Sequence, residues 1–362
     1  RSQNLLGRYL SFGTLITAQG DPLKGFAGNG IDITDGFDWA YLPGATTKAL
    51  PADKMLYAPK GDDKYIEGKH RNFSESVIAS GLNQNGNGLF ALDLRDDVFP
   101  DDDKSLFDNS FRAKKSYFFI GNEIICLGSN ISNSDGRYPT VTTLFQYKFD
   151  DARSNYFDGK TIGNSLQLNE KQDGGYFTDQ NGLHFVIPKG NQLVWQQSLQ
   201  TSYAFGADEF DKSKNGYKKV ERPFIKAWLA HGNKPANSGY EYEILLNTPV
   251  ANVPQFINNP SYRVLQKDSV AHIIQHQELG ITAYAIFEAN KSISGPLMKT
   301  TAPLLAMYQL KNERVLLTVA NPDIKQPKFN HNMSHMPDEI TNGLNKGGIV
   351  SITLKGDWHL AK

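Results

Sequence analysis

An all-β fold of antiparallel sheets packed face to face is the class that this 362-residue sequence predicts, on three observations. Short runs of β-branched and aromatic residues recur along the chain, separated by clusters of Gly, Asn, Asp and Pro. Helical 3.6-residue patterning is nearly missing, so the crossover helices that parallel strands require have no place here. No repeat of fixed period is apparent either, which disfavours a propeller or a solenoid.

In chain order, strands are predicted over Lys115–Phe119, Glu123–Gly128, Thr142–Lys148, Leu183–Ile187, Gln192–Gln197, Phe224–Leu229 and Tyr240–Leu246. A second series covers Thr282–Phe287, Leu304–Leu310, Arg314–Val319 and Ile349–Leu354. Residues of these types fit a pleated, half-buried surface. Tyr240, Tyr242, Ile244 and Leu246 alternate with Glu241, Glu243 and Leu245, the period-2 pattern of a strand with one buried face. Val253–Asn258 could hold one short helix, and the polar, Gly/Asn-rich stretches Ala207–Lys219 and Phe329–Asn345 read as long surface loops. A boundary is expected near Asn258-Asn259-Pro260, dividing the chain into 1–257 and 258–362, both of ordinary domain size.

Composition narrows the function classes. Hydrophobic residues make up 39% and charged residues 21%, enough to bury a sizeable core. Lys+Arg and Asp+Glu both count 38, which argues against a nucleic-acid partner but leaves room for a local basic groove that takes an acidic polymer. No apolar run reaches the ~18 residues of a membrane-spanning helix. With Cys126 the only cysteine, neither an intrachain disulfide nor a Cys-based zinc site can form. The chain starts Arg-Ser-Gln-Asn, without Met or an apolar signal core, and reads as the interior of something longer.

Little in the residues by themselves points to chemistry. Two histidine pairs have i, i+4 spacing, His272/His276 and His331/His335, but no HExxH accompanies them. His272–His276 lies in a strand-like stretch, where residues four apart share a face, and no third ligand is visible. The run Asp96, Asp97, Asp101, Asp102, Asp103 could offer hard oxygen ligands to calcium, or be a solvated loop. Cys126, among Ile124, Ile125 and Leu127, reads as a buried small hydrophobe. No GxSxG, P-loop or dinucleotide fingerprint occurs, and no metal site is assigned.

Four ordered segments carry more information. The first is Gln3-Asn4-Leu5-Leu6-Gly7-Arg8-Tyr9-Leu10-Ser11-Phe12-Gly13, and the second Gly36-Phe37-Asp38-Trp39-Ala40-Tyr41-Leu42-Pro43-Gly44-Ala45-Thr46-Thr47. The third is Ala113-Lys114-Lys115-Ser116-Tyr117-Phe118-Phe119 with Leu127-Gly128-Ser129-Asn130-Ile131 shortly after. The last is Ala227-Trp228-Leu229-Ala230-His231-Gly232, leading through Pro235 to Tyr240-Glu241-Tyr242. In this order they resemble the chondroitin and hyaluronan lyases of polysaccharide lyase family 8, in the version found in broad-specificity chondroitin ABC lyases. The resemblance continues through Tyr262-Arg263-Val264-Leu265 and Val319–Asp323 and covers essentially the whole chain.

The resemblance implies a helical toroid, then a large antiparallel super-sandwich of mutarotase-like fold, then a smaller C-terminal β-sandwich domain, of which this chain corresponds to the last two. It implies a bacterial, secreted or periplasmic enzyme that degrades chondroitin sulfate and dermatan sulfate by β-elimination, with hyaluronan as a further candidate substrate. The Asn, His, Tyr and Arg that perform the elimination belong to the toroid, so this chain alone is expected to be inactive. The sandwich of the family adds one catalytic Glu, and that position is Gln3 here, an amide that keeps the shape and loses the charge. Asn4 and Arg8 are expected to contact substrate or to pair at a domain junction, and Trp39 to line the cleft or join the core. No cofactor is required; a divalent cation, calcium or magnesium, remains open. The competing classes are a non-catalytic carbohydrate-binding β module and a mutarotase-like sandwich with its own sugar chemistry, which would need a His/Glu/Asp cluster on one concave face.

Overall fold

The structure is a computed structural model that describes residues 13–17, 35–51, 76, 78–95, 108, 110–203, 210–211, 216–217, 219–322 and 349–357. Strands β1 (Thr46–Lys48), β2 (Ala79–Gln84), β3 (Asn87–Arg95), β4 (Arg112–Ile120), β5 (Glu123–Ser132) and β6 (Thr140–Lys148) come first. They are followed by β7 (Tyr156–Phe157), β8 (Lys160–Thr161), β9 (Gln167–Thr178), β10 (His184–Tyr203), β11 (Phe210–Asp211), β12 (Gly216–Tyr217), β13 (Lys219–Gly232) and β14 (Ser238–Leu245). The predicted short helix follows as α1 (Val253–Asn258), with a proline in its first turn where the missing N–H costs nothing. The second series is β15 (Tyr262–Lys267), β16 (Ala271–His276), β17 (Ile281–Ile286), β18 (Leu297–Thr300), β19 (Leu304–Lys311), β20 (Arg314–Ala320) and β21 (Ile352–Leu354).

One sheet runs β1-β6-β13-β10-β14-β5-β4-β3-β2, with β9 also on β10, and every ladder is antiparallel. Its organiser is the 20-residue strand β10. Residues His184–Val186 pair with β14, whereas Leu193–Tyr203 pair with β13. Between them the register slips at Pro188-Lys189-Gly190-Asn191, where Pro188 has no N–H to donate and Gly190 adopts φ +87°. The two strands expected over Leu183–Ile187 and Gln192–Gln197 are thus one strand that changes neighbours at a bulge, where the sheet bends to close on itself. The two halves close on a shared core, with Tyr117, Cys126, Tyr240 and Tyr242 from one and Phe145, Leu193, Trp195 and Ile225 from the other.

The second series forms a five-stranded sheet, β15-β16-β17-β19-β20, and a separate pair, β18-β21. One face of the five-stranded sheet packs Ile274, Ala283, Leu305 and Met307 against Phe118, Ile120, Ile125 and Leu127 of β4 and β5. Its other face buries Tyr284, Ile286 and Leu304 with Leu297 of β18 and Ile352 of β21. Strand pairing changes partners at α1, near the expected boundary, but the hydrophobic core runs across it. The β14-β5-β4 layer is therefore covered on both sides. This overturns the simple alternation expected for Tyr240–Leu246: Glu243 is only 2% exposed, because the second sheet covers the face that the pattern assigned to solvent.

Three further differences are local. Asn85-Gly86, both with positive φ, turn the β2–β3 hairpin that sequence reading passed over. The Ala207–Lys219 stretch is not wholly loop, since β11 and β12 pair within it. The strand expected over Ile349–Leu354 is confined to Ile352–Leu354, and Phe329–Asn345 lies outside the described residues.

Candidate functional site

Residues Asp35–Leu42 lie across the outer face of the β6-β13-β10 half-sheet, before the chain enters the edge strand β1. Strand parity explains why this face is polar. Phe145 and Tyr147 of β6 and Ile225 and Ala227 of β13 point into the core, so Gln146, Lys226 and Trp228 point out. The two glutamines hold the loop by its backbone. Gln200 Nε2 donates to Gly36 O at 3.1 Å and to Gln146 Oε1 at 2.8 Å. Gln146 Nε2 donates to Asp38 O and Tyr41 O, and its Oε1 accepts from Asp38 N at 2.8 Å. Ser202 Oγ accepts from Gly36 N.

Asp38 then organises the tip. Its Oδ1 caps the 3₁₀ turn Trp39–Tyr41 by accepting from Ala40 N, while its Oδ2 takes the Lys226 ammonium at 2.7 Å. Lys226 Nζ lies 3.8 Å from the Tyr41 ring centroid and 5.9 Å from that of Trp228. Tyr41 meets Trp228 edge-on at 5.0 Å, and Trp39 meets Phe37 edge-on at 5.1 Å. Burial, then the Asp38 carboxylate, pushes the Tyr41 hydroxyl above its ordinary pKa, so at neutral pH it donates hydrogen bonds and is no base. Arg222 and Asp35 pair at 3.7 Å on the same side. Trp39, Tyr41 and Trp228 are each half-buried, forming an aromatic shelf with a shielded cation beneath. Such a shelf can stack against sugar rings.

The Lys114-Lys115-Ser116 segment divides its side chains between two layers, as a strand must. Lys115 and Tyr117 turn toward the first core and bind the carbonyls of Gly13 and Gly44. Lys114 and Ser116 turn toward the second sheet. Lys114 donates to Ser269 O and pairs with Glu288 at 3.3 Å. The Ser116 hydroxyl meets His272 Nδ1 at 2.8 Å, and His272 Nε2 meets Ser129 Oγ, also at 2.8 Å. Burial holds His272 neutral, its pKa pushed down to about 3. His276 shares that face, as spacing predicts, but its neighbour is Glu123 at 3.6 Å. Ser261 donates to Glu123, and Tyr262 donates to Glu241 at 3.1 Å. Burial and the adjoining Glu123 and Glu241 push the Glu243 carboxyl well above the ordinary range.

Each sequence-predicted residue can be placed or set aside. Trp39 sits on the outer shelf, part core anchor and part surface. Gln3, Asn4, Arg8, the Asp96–Asp103 run and His331/His335 lie outside the described residues. Cys126 is fully buried, its thiol pushed up to about 12 by burial. Among the described residues no three His, Cys, Asp or Glu side chains form a metal-ligating group, and no helix is long and apolar enough to cross a membrane. Sequence reasoning missed Gln146, Gln200 and Lys226. A lysine at the centre of the apolar Phe224–Leu229 run was the available signal.

Comparison with known proteins accords with this architecture. The chain is 29% identical over 380 residues to the chondroitin sulfate ABC exolyase of Bacteroides thetaiotaomicron, covering 99% of this chain and 34% of that enzyme. It is 30% identical over 329 residues to the chondroitin sulfate ABC exolyase of Proteus vulgaris, covering 89% of this chain and 30% of that enzyme. The chain thus spans about a third of the length of these relatives. Among solved structures, chondroitinase AC lyase, determined with bound oligosaccharides, superposes with a TM-score of 0.66 at 21% identity, over 89% of this chain and 43% of that one, which bears on the fold alone. The family model described as "Polysaccharide lyase family 8, super-sandwich domain" matches residues 1–256, and the chain belongs to that family.

Proposed function

We propose that the chain is the C-terminal portion of a bacterial, secreted or periplasmic glycosaminoglycan lyase that degrades chondroitin sulfate and dermatan sulfate, with hyaluronan as a further substrate. In this reading 1–257 is the super-sandwich and 258–362 the C-terminal β domain, and a helical catalytic domain completes the enzyme. The observation that carries it is the match of nearly the whole chain to ABC exolyases of which it spans only a third.

The reaction is a β-elimination at a uronic acid. The C5 proton passes to a base, the C5–H electron pair becomes the C4–C5 double bond, and the C4–O bond breaks. An acid then protonates the departing glycosidic oxygen. The neighbouring carboxylate opposes proton loss until hydrogen-bond donors neutralise it. The sandwich supplies binding and positioning. Trp39, Tyr41 and Trp228 offer ring faces for stacking, and Lys226 keeps the Tyr41 ring in place. Asn4 and Arg8 are assigned to substrate, and Gln3 occupies the position where the family has a Glu that reaches the catalytic Arg and Tyr.

The unsaturated product absorbs in the near ultraviolet, which gives the test. The polypeptide expressed from its natural start should raise that absorbance on chondroitin sulfate and dermatan sulfate, and the 362-residue chain should not. Turnover by the 362-residue chain, or none by the longer one on any of the three polymers, would overturn the reading.

A further inference from the structure

Two loops that are remote in sequence meet at one buried lysine. Lys115 is fully buried at the middle of β4, and its Nζ donates to Gly44 O and, at 3.4 Å, to Gly13 O. Tyr117, two residues on and on the same face, donates its hydroxyl to the same two carbonyls, with the Gly44 contact at 3.0 Å. The loops are also joined directly, Leu15 N donating to Pro43 O at 2.9 Å. Gly44 has φ +79°, and a Cβ there would stand 2.2 Å from Leu15 N. The junction therefore admits no side chain at Gly44 and leaves its carbonyl facing Lys115. On one side of it Gly44 ends the Trp39–Pro43 shelf. On the other, Gly13 is the last residue of the sequence segment bearing Gln3, Asn4 and Arg8.

We propose that Lys115, with Tyr117, is a positioning residue that clamps the Trp39–Gly44 loop against the sandwich and so sets the geometry of the polysaccharide-binding shelf. Its bearing on catalysis rests on the function proposed above.

The surroundings make this clamp responsive to pH. Among the described residues, the ionisable groups around it include Tyr117 on β4, Cys126 on β5, Tyr240 and Tyr242 on β14 and His231 on β13. Burial raises the thiol and the three phenols and pushes His231 down to about 3, so all are neutral near pH 7. Burial pushes the Lys115 pKa down to about 7, well below its ordinary value in water. The proton is therefore held more weakly in the clamped state than in one that admits water, so protonation favours opening and the neutral amine keeps the clamp closed. The clamp is firm in alkaline solution and loosens as pH falls toward 7.

Hydrogen exchange in the 362-residue chain tests the clamp itself. After correction for base catalysis, amides of Asp38–Thr46 should exchange about tenfold faster in Lys115→Met than in wild type at pH 9, and the two should converge toward pH 7, where the wild-type lysine takes up a proton on opening. Tyr117→Phe keeps the titrating lysine, so protection of these amides should fall from pH 9 to pH 7 in this variant as in wild type. In the polypeptide expressed from its natural start, kcat/KM should follow the same pattern: the Lys115→Met deficit of about tenfold at pH 9 shrinks toward pH 7. A Lys115→Met deficit that does not vary with pH would mark a purely structural role and overturns the proposal. So does unchanged exchange in both variants. Should Lys115→Met not fold, the pH dependence of protection in Tyr117→Phe decides alone. A wild-type enzyme without lyase activity would refute the proposed function and leave the exchange data to judge the clamp.

Discussion

Replacing Gly128 by Ala is a stringent test of the way β5 and β14 pack. Gly128 is not at positive φ, so an alanine there strains no backbone and, by conformational entropy alone, would stabilise by about 0.5–1 kcal/mol. Space decides otherwise. The added Cβ would lie 2.0, 2.4 and 2.6 Å from Cε1, Cδ1 and Cζ of Tyr240. Carbon atoms rest at ~3.5–4.0 Å, so the ring would have to withdraw by about 1.5 Å. It has nowhere to go: Tyr240 is 1% exposed, stacks on Tyr242 at 5.7 Å and faces His231 at 6.1 Å. Overpacking of this kind costs about 1–3 kcal/mol, and this contact belongs at the upper end. Urea unfolding of the 362-residue chain, followed by circular dichroism and tryptophan fluorescence, measures the loss. In Gly128→Ala/Tyr240→Ala the missing ring makes room for the methyl, so the double variant should be more stable than the sum of the single losses by at least about 1 kcal/mol. A single variant within about 0.5 kcal/mol of wild type, or strict additivity, would refute the packing argument.

Three more outcomes follow from the same structure. Because the Glu243 carboxyl is raised in the folded state, its contribution is greatest below the ordinary carboxylate pKa and declines as pH climbs through neutrality; Glu243→Gln, which needs no proton, should gain on wild type by up to about 1.4 kcal/mol per pH unit there, and urea melts at pH 5 and pH 8 that show the gap narrowing upward would contradict this. Lys226→Met leaves the Asp38 Oδ2 without the ammonium it holds at 2.7 Å, so unfolding should cost about 1–2 kcal/mol less and KM for chondroitin sulfate should rise several-fold with kcat little changed, read from steady-state rates. Gln3→Glu restores a carboxylate able to hold an Arg, so kcat of the polypeptide expressed from its natural start should rise by about 10²–10³ while KM moves less; equal kcat values remove Gln3 from catalysis.

Much of the fold was legible because a strand with one apolar face writes a local signature. Phe224–Leu229 and Thr142–Lys148 are of this kind, and α1 was marked by Pro254 and its polar end. What escaped was set by distant partners. Pro188 and Gly190 signal a turn, yet pairing with β14 on one side and β13 on the other makes a single strand of what reads as two. The Asn85-Gly86 hairpin was legible in principle, but Asn83, Gln84 and Asn87 around it mask the strands. Alternation reports one face at a time, and nothing near Glu243 announces that β15 and β16 will cover it. The site divides in the same way. Trp39 could be picked out by its motif, whereas Lys226 and Gln146 gain their roles only when parity turns them onto one surface with Asp38.

The layer formed by β14, β5 and β4 has a core on each side, and this bears on how the chain is made. Ribosomal synthesis presents β4 and β5 well before β16, β17 and β19, so Phe118, Ile120, Ile125 and Leu127 are ready long before Ile274, Ala283, Leu305 and Met307 exist to meet them. Through that interval the nascent chain carries an apolar face, with Lys114 and Glu243 set in it, that only its own last third can cover. Truncation after Asn258 would make that interval permanent. Aggregation of such a product, rather than a tidy shorter sandwich, is the consequence of sharing one sheet between two cores.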